Sequence, residues 1–169
     1  EFASARVLRD SYLGSIWEGT SNIVALDSIT RAVGRHHAES ALGADLFARI
    51  GETDVAPQAH RDRLKDAVDR VIALAQKVAG QGENEAEARR ATSVLYHVAS
   101  AVTLAWEAQQ THERRGDARR LLFSRLVLDH RLSAPDPFDL QTGAREAAFA
   151  DALLSEAPVS RARAAELLA

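Results

Sequence analysis

Two apolar seams constrain this chain more than any other feature. Leu64, Val68, Val71, Ala75 and Val78 are separated by alternating steps of four and three. Ala91, Leu95, Val98, Val102 and Ala105 repeat the pattern. A helix gathers such positions into one narrow stripe, whereas a strand would scatter them over both faces. Gly80-Gln81-Gly82-Glu83-Asn84 lies between the seams. So short a turn folds the second helix back along the first. The predicted architecture is therefore an all-α, antiparallel helical bundle.

The rest of the chain extends this pattern. Phe2 to Leu13 reads as a helix ended by Gly14, followed by a polar loop over 14–22. Ser21 or Asn22 can cap the next helix, on which Ile23, Leu26 and Ile29/Thr30 lie three or four apart. Gly34 interrupts it. A further helix over about 37–50 carries Leu42, Leu46, Phe47 and Ile50, and residues 51–57 read as a connection. Asp117 is a cap for a helix over 118–132, with Leu121, Leu122, Phe123, Leu126, Val127 and Leu128. Ser133 to Pro137 reads as a rigid linker. Two weaker helices, about 142–155 and 159–168, are separated at Pro158 with Ser155 or Ser160 as neighbours. β-Branched runs are absent and aromatics are only 5%, so Ala, Leu, Val and Ile must build the core and let the helices pack closely.

Charge and composition narrow the function. A net charge of −3 gives no global reason to bind nucleic acid or an anionic membrane. With 0 Cys, disulfides and cysteine-ligated metals are excluded. No apolar run reaches the ~18 residues of a membrane span. A cytoplasmic location is the expectation. The chain has 0 Met and starts Glu1-Phe2-Ala3, so it is expected to be a processed subunit or a piece of a longer polypeptide.

The stretch richest in chemistry is Ile16-Trp17-Glu18-Gly19-Thr20-Ser21-Asn22. A carboxylate between a large aromatic and a glycine suits a desolvated general base, because excluding water raises its proton affinity. Its purely structural reading is a turn that caps a helix. Arg9-Asp10, seven intervening residues, and then Glu18-Gly19-Thr20-Ser21-Asn22-Ile23 resembles the C-terminal signature of the flavin-dependent acyl-CoA dehydrogenases. With Ile16-Trp17 before it and Ala25-Leu26-Asp27 after it, it looks most like the AidB-like branch. The close resemblance covers about residues 3–33.

That resemblance implies roles residue by residue. Glu18 matches the base that removes the α-proton of an acyl-CoA thioester while the β-hydrogen leaves as hydride to FAD. The backbone N–H of Glu18 also matches half of the oxyanion site. Gly19 keeps the approach to the flavin open, and Thr20 and Asn22 match positions that contact FAD. Asn22 replaces the commoner Gln. Some members of the family place the base on another helix, and the AidB-like branch is a poor dehydrogenase despite keeping this glutamate. The expected division is 1–50, the end of the family's helical domain with active-site loop 14–22, and 51–169, a helical extension packed on it. The N-terminal and middle domains that complete the flavin pocket would come from further chain or from a partner subunit. A homo-oligomer is expected, and the isolated chain should be inactive. The alternative is a non-catalytic helical module for DNA binding or oligomerisation.

Other residues carry less. His36-His37-Ala38-Glu39 places His and Glu on one helix face, but no third ligand clusters with them, so exposed histidines are expected and no metal. His97, beside Leu95 and Val98, is expected to be a hydrogen-bonded bundle histidine, and Trp106 a packing or interface residue. Arg114, Arg115, Arg119, Arg120, Arg125 and Arg131 against Asp117 and Asp129 leave about +4 locally. The AidB-like branch has DNA binding attributed to a basic C-terminal region. The acidic whole and the lack of interleaved aromatics favour a solvated face with ion pairs instead.

Overall fold

The computed structural model describes residues 3–13, 21–80, 85–133, 138 and 140–169. The described residues form eight α-helices: α1 (Ala3–Leu13), α2 (Ser21–Asp27), α3 (Ala38–Gly51), α4 (Gln58–Gly80), α5 (Glu85–Arg115), α6 (Arg120–Arg131), α7 (Leu140–Leu154) and α8 (Arg161–Leu168). A π-helical stretch, Ser28–Val33, continues α2. Among the described residues there is no strand, and no helix is long and apolar enough to cross a membrane. The fold is an all-α helical bundle, as the seams predict.

α4 and α5 form its axis. Leu64, Val68, Val71, Ala75 and Val78 are all buried, as are Ala91, Val98, Val102 and Ala105, while Leu95 is partly covered. Ala75 and Val78, late in α4, cluster with Ala88 and Ala91, early in α5, so the two helices run antiparallel. The larger core joins Leu46 and Ile50 of α3 to α4, α5, α6, Phe149 of α7 and the end of α8. Packing is therefore continuous across position 50.

Polar contacts set the order at the C-terminal end. Asp117 Oδ1 accepts from the backbone N–H of Arg119 at 3.0 Å and of Val159 at 3.1 Å. It thus holds the turn that leads into α6, whose N-cap is Arg119, and ties the segment before α8 to it. Ser160 caps α8, its hydroxyl accepting from Arg163 N–H at 3.2 Å. The expected linker at 133–137 lies mostly outside the described residues.

The buried face of α2 differs from expectation. Ala25, Ile29 and Val33 are buried, whereas Ile23 is 58% exposed. The cause is the π-helical stretch. Ser28 Oγ and Thr30 Oγ1 donate to the carbonyls of Val24 and Leu26, each at 2.8 Å. Such back-bonding competes with the regular ladder and widens the turn, so steps of four stay on one face. Gly34 N–H then reaches back five residues to Ile29 O at 2.9 Å. A Cβ at Gly34 would lie 2.7 Å from Thr30 O, which is why glycine ends the stretch. His37 follows in the left-handed region at φ 50.

Candidate functional site

Glu18, Gly19 and Thr20 lie outside the described residues. The structure places what flanks them. Arg9 and Asp10 are on α1, exposed. Asn22 is on the first turn of α2, also exposed, and its Oδ1 accepts from Arg89 Nη1 at 3.2 Å. Thr92 Oγ1 donates to Ala25 O at 3.4 Å. α2 is therefore docked on α5 by Ile29, Val33 and these two bonds. α1 is not: every residue from Ala3 to Tyr12 is exposed, with Val7 at 64% and Leu8 at 57%. The segment in question thus lies in sequence between a docked helix and one whose side chains from Ala3 to Tyr12 are all exposed.

The other sequence candidates separate cleanly. His36 and His37 are exposed. Glu39 is buried, its side chain 1% exposed. Glu39 Oε1 accepts from Gln76 Nε2 at 3.2 Å and Ser40 Oγ at 3.3 Å, and Oε2 has no partner among the described residues. It sits in the first turn of α3, where the positive end of the helix dipole favours a carboxylate. No cluster of three or more metal-ligating side chains occurs among the described residues.

The arginine run turns inward. Arg119 Nε pairs with Asp117 at 2.8 Å, and its Nη2 donates to Ala157 O at 2.8 Å. Arg120 pairs with Glu107 at 2.6 Å. Arg125 pairs with Asp129 at 2.7 Å and donates to Leu168 O at 3.0 Å. These three cations hold α5, α6 and the C-terminal segments together. Arg114, Arg115 and Arg131 remain exposed.

A buried polar pair was missed by the sequence reading. His60 on α4 and Ser124 on α6 are 3% and 0% exposed, with His60 Nε2 3.0 Å from Ser124 Oγ. Ser124 Oγ donates its proton to Ala101 O at 2.8 Å. It must therefore accept from His60 Nε2–H, which assigns the neutral Nε2-protonated tautomer. His60 Nδ1 has no partner among the described residues. Burial, aided by the nearby Arg125 and Arg63 charges, lowers the His60 pKa from 6.5 to about 4. The serine proton is committed to a carbonyl and the pair is closed to solvent, so its work is to join α4, α5 and α6. Alongside, Asp129 takes Arg63 at 2.9 Å and Arg125 at 2.7 Å. Burial pushes its carboxyl up, but hydrogen bonds from both arginines outweigh this and hold it below the ordinary value.

The hydrogen-bonded bundle histidine expected at 97 is thus His60. His97, only partly buried, instead meets Tyr96 edge to face at 5.3 Å. Its position beside the seam leaves its ring at the bundle surface. Trp106 is a packing residue: its Nε1 donates to Glu52 at 2.8 Å, and Arg49 lies 4.9 Å over its ring. Compared with known proteins, the chain matches no family model, no curated protein and no solved structure.

Proposed function

We propose that this chain is the C-terminal part of an acyl-CoA dehydrogenase-like flavoprotein of the AidB-like type, inactive until further polypeptide completes its flavin pocket. The observation that carries the reading is the spacing of Arg9-Asp10 to Trp17-Glu18-Gly19-Thr20-Ser21-Asn22-Ile23. Glu18 is the base for the α-proton of an acyl-CoA thioester, and exclusion of water by the completed pocket raises its basicity. Gly19, Thr20 and Asn22 would hold FAD. The chemistry FAD supplies when bound is acceptance of the β-hydrogen as hydride. Asn22 suits a cofactor contact in being a polar, exposed residue on the first turn of α2, held by the bond from Arg89 to its Oδ1.

The exposed apolar side chains of α1 and α2, Val7, Leu8, Tyr12, Ile23 and Val24, suit a surface that another part of the flavoprotein covers. They also favour the second reading, a non-catalytic oligomerisation module, because a second copy could cover them equally well. A DNA-binding module gains little, since Arg119, Arg120 and Arg125 are engaged within the fold. A cytoplasmic location accompanies the flavoprotein reading.

The test is acyl-CoA-dependent dye reduction by the parent assembly containing this chain. Turnover that falls by about a thousandfold in Glu18→Gln supports the base assignment. Unchanged turnover in that variant, or turnover by the isolated chain, would remove it. A stable homodimer of the isolated chain, with a parent assembly that holds no FAD, would favour the oligomerisation module.

A further inference from the structure

α4, α5 and the end of α6 enclose an open cleft of about 490 Å³. That volume falls within the range of small-molecule sites. Its apolar lining includes Val71, Val94 and Val98. Three guanidinium groups, Arg70, Arg90 and Arg131, line it as well, each from a different helix, and among the described residues no carboxylate does.

The arginines are weakly held. Arg70 pairs with Asp66 at 3.4 Å and Arg90 with Glu87 at 3.7 Å, both within one helix and on largely exposed side chains. Pairs of that kind contribute little and exchange readily. Arg131 makes no ion pair among the described residues. This contrasts with Arg119, Arg120 and Arg125, each fixed at 2.6–2.8 Å. The cleft thus joins an apolar lining to cations available to an anion, and the planar guanidinium fork matches a carboxylate.

We propose that this cleft binds an amphipathic carboxylate: an unbranched alkyl chain lying along the partly exposed Leu74, Val94 and Leu132, with its carboxylate on Arg90 and Arg131. The charge complementarity selects the head, and the apolar lining selects the tail. The site uses no residue of the flavin reading and stands without it.

Calorimetric titration of the full chain with decanoate tests this. The expected result is one site per chain, with decanol and acetate each binding at least about tenfold more weakly, as loss of a charge-assisted contact or of the tail requires. Arg90→Gln combined with Arg131→Gln should weaken decanoate by about tenfold or more and leave decanol unchanged. Val94→Trp, which fills the cleft, should abolish both. Circular dichroism identical to the parent chain would show that the variants fold. Absence of decanoate binding, equal binding of decanol, or binding that survives both variants would overturn the proposal.

Discussion

The N-terminal helices and the α4–α6 bundle use the same kinds of residue to opposite effect. In the bundle, apolar positions at steps of four and three are buried almost completely, and His60 with Ser124 and Arg63 with Asp129 pair across helices. On α1 and the start of α2, Val7, Leu8, Tyr12, Ile23 and Val24 face outward. The seams of the bundle are buried within this chain, while the described part of α1 and the start of α2 leave apolar side chains exposed. The two regions should therefore respond differently to the same substitution.

The sharpest contrast comes from truncating the same residue type in each half. Leu64→Ala should cost about 3–4 kcal/mol, because the site is closely packed and cannot collapse. Leu8→Ala should change stability by less than about 0.5 kcal/mol. Urea denaturation of the monomer checks both, and similar costs would erase the distinction between the halves.

The next effect is a pH dependence set inside the bundle. Folded His60 takes up a proton near pH 4, whereas the unfolded residue does so near 6.5. Between those values the unfolded state binds the proton and the folded state does not. Stability should therefore fall as pH drops from 6.5 toward 4 and then level off, by roughly 3 kcal/mol in all. His60→Gln, which keeps a donor for Ser124, should flatten that slope. The Asp129 contribution is lost only at lower pH, because its folded value lies below 3.8. Urea midpoints at several pH values between 4 and 7 distinguish the two groups.

Gly34→Ala should cost about 1–3 kcal/mol, since the new methyl meets the Thr30 carbonyl at 2.7 Å. His37→Gly should instead raise stability by about 0.5–1 kcal/mol, by relieving a left-handed residue. If Gly34→Ala were harmless, the π-helical stretch would not be what aligns Ala25, Ile29 and Val33 on the bundle.

The seams could be read from sequence because burial there follows helical geometry residue by residue. Asp117 was readable in part: it bonds the backbone just before α6, although Arg119 is the N-cap, while the cap of α8 at Ser160 was not distinguished from its neighbour Ser155. His60 and Ser124 were not singled out, although both continue a buried stripe: His60 lies four before Leu64, and Ser124 lies between Leu121 and Leu128. Glu39 likewise continues the stripe of Gly43, Leu46 and Ile50. What no local pattern provides is the partner 64 residues away that makes a buried polar side chain tolerable. The π-helical shift was hidden for a related reason: it depends on where two hydroxyls turn. Asn22 is placed, whereas Glu18, Gly19 and Thr20 rest on the sequence signature alone.

Amide hydrogen exchange tests the central contrast most directly. In the isolated monomer, amides at the centres of α4 and α5 should show protection near the global unfolding free energy, while α1 amides exchange at close to unfolded rates. The proposed flavoprotein assembly requires α1 to become strongly protected there, because the further polypeptide would cover its exposed apolar side chains. Protection of α1 equal to that of α4 in the monomer, or an α1 that stays unprotected in the assembly, would contradict the account.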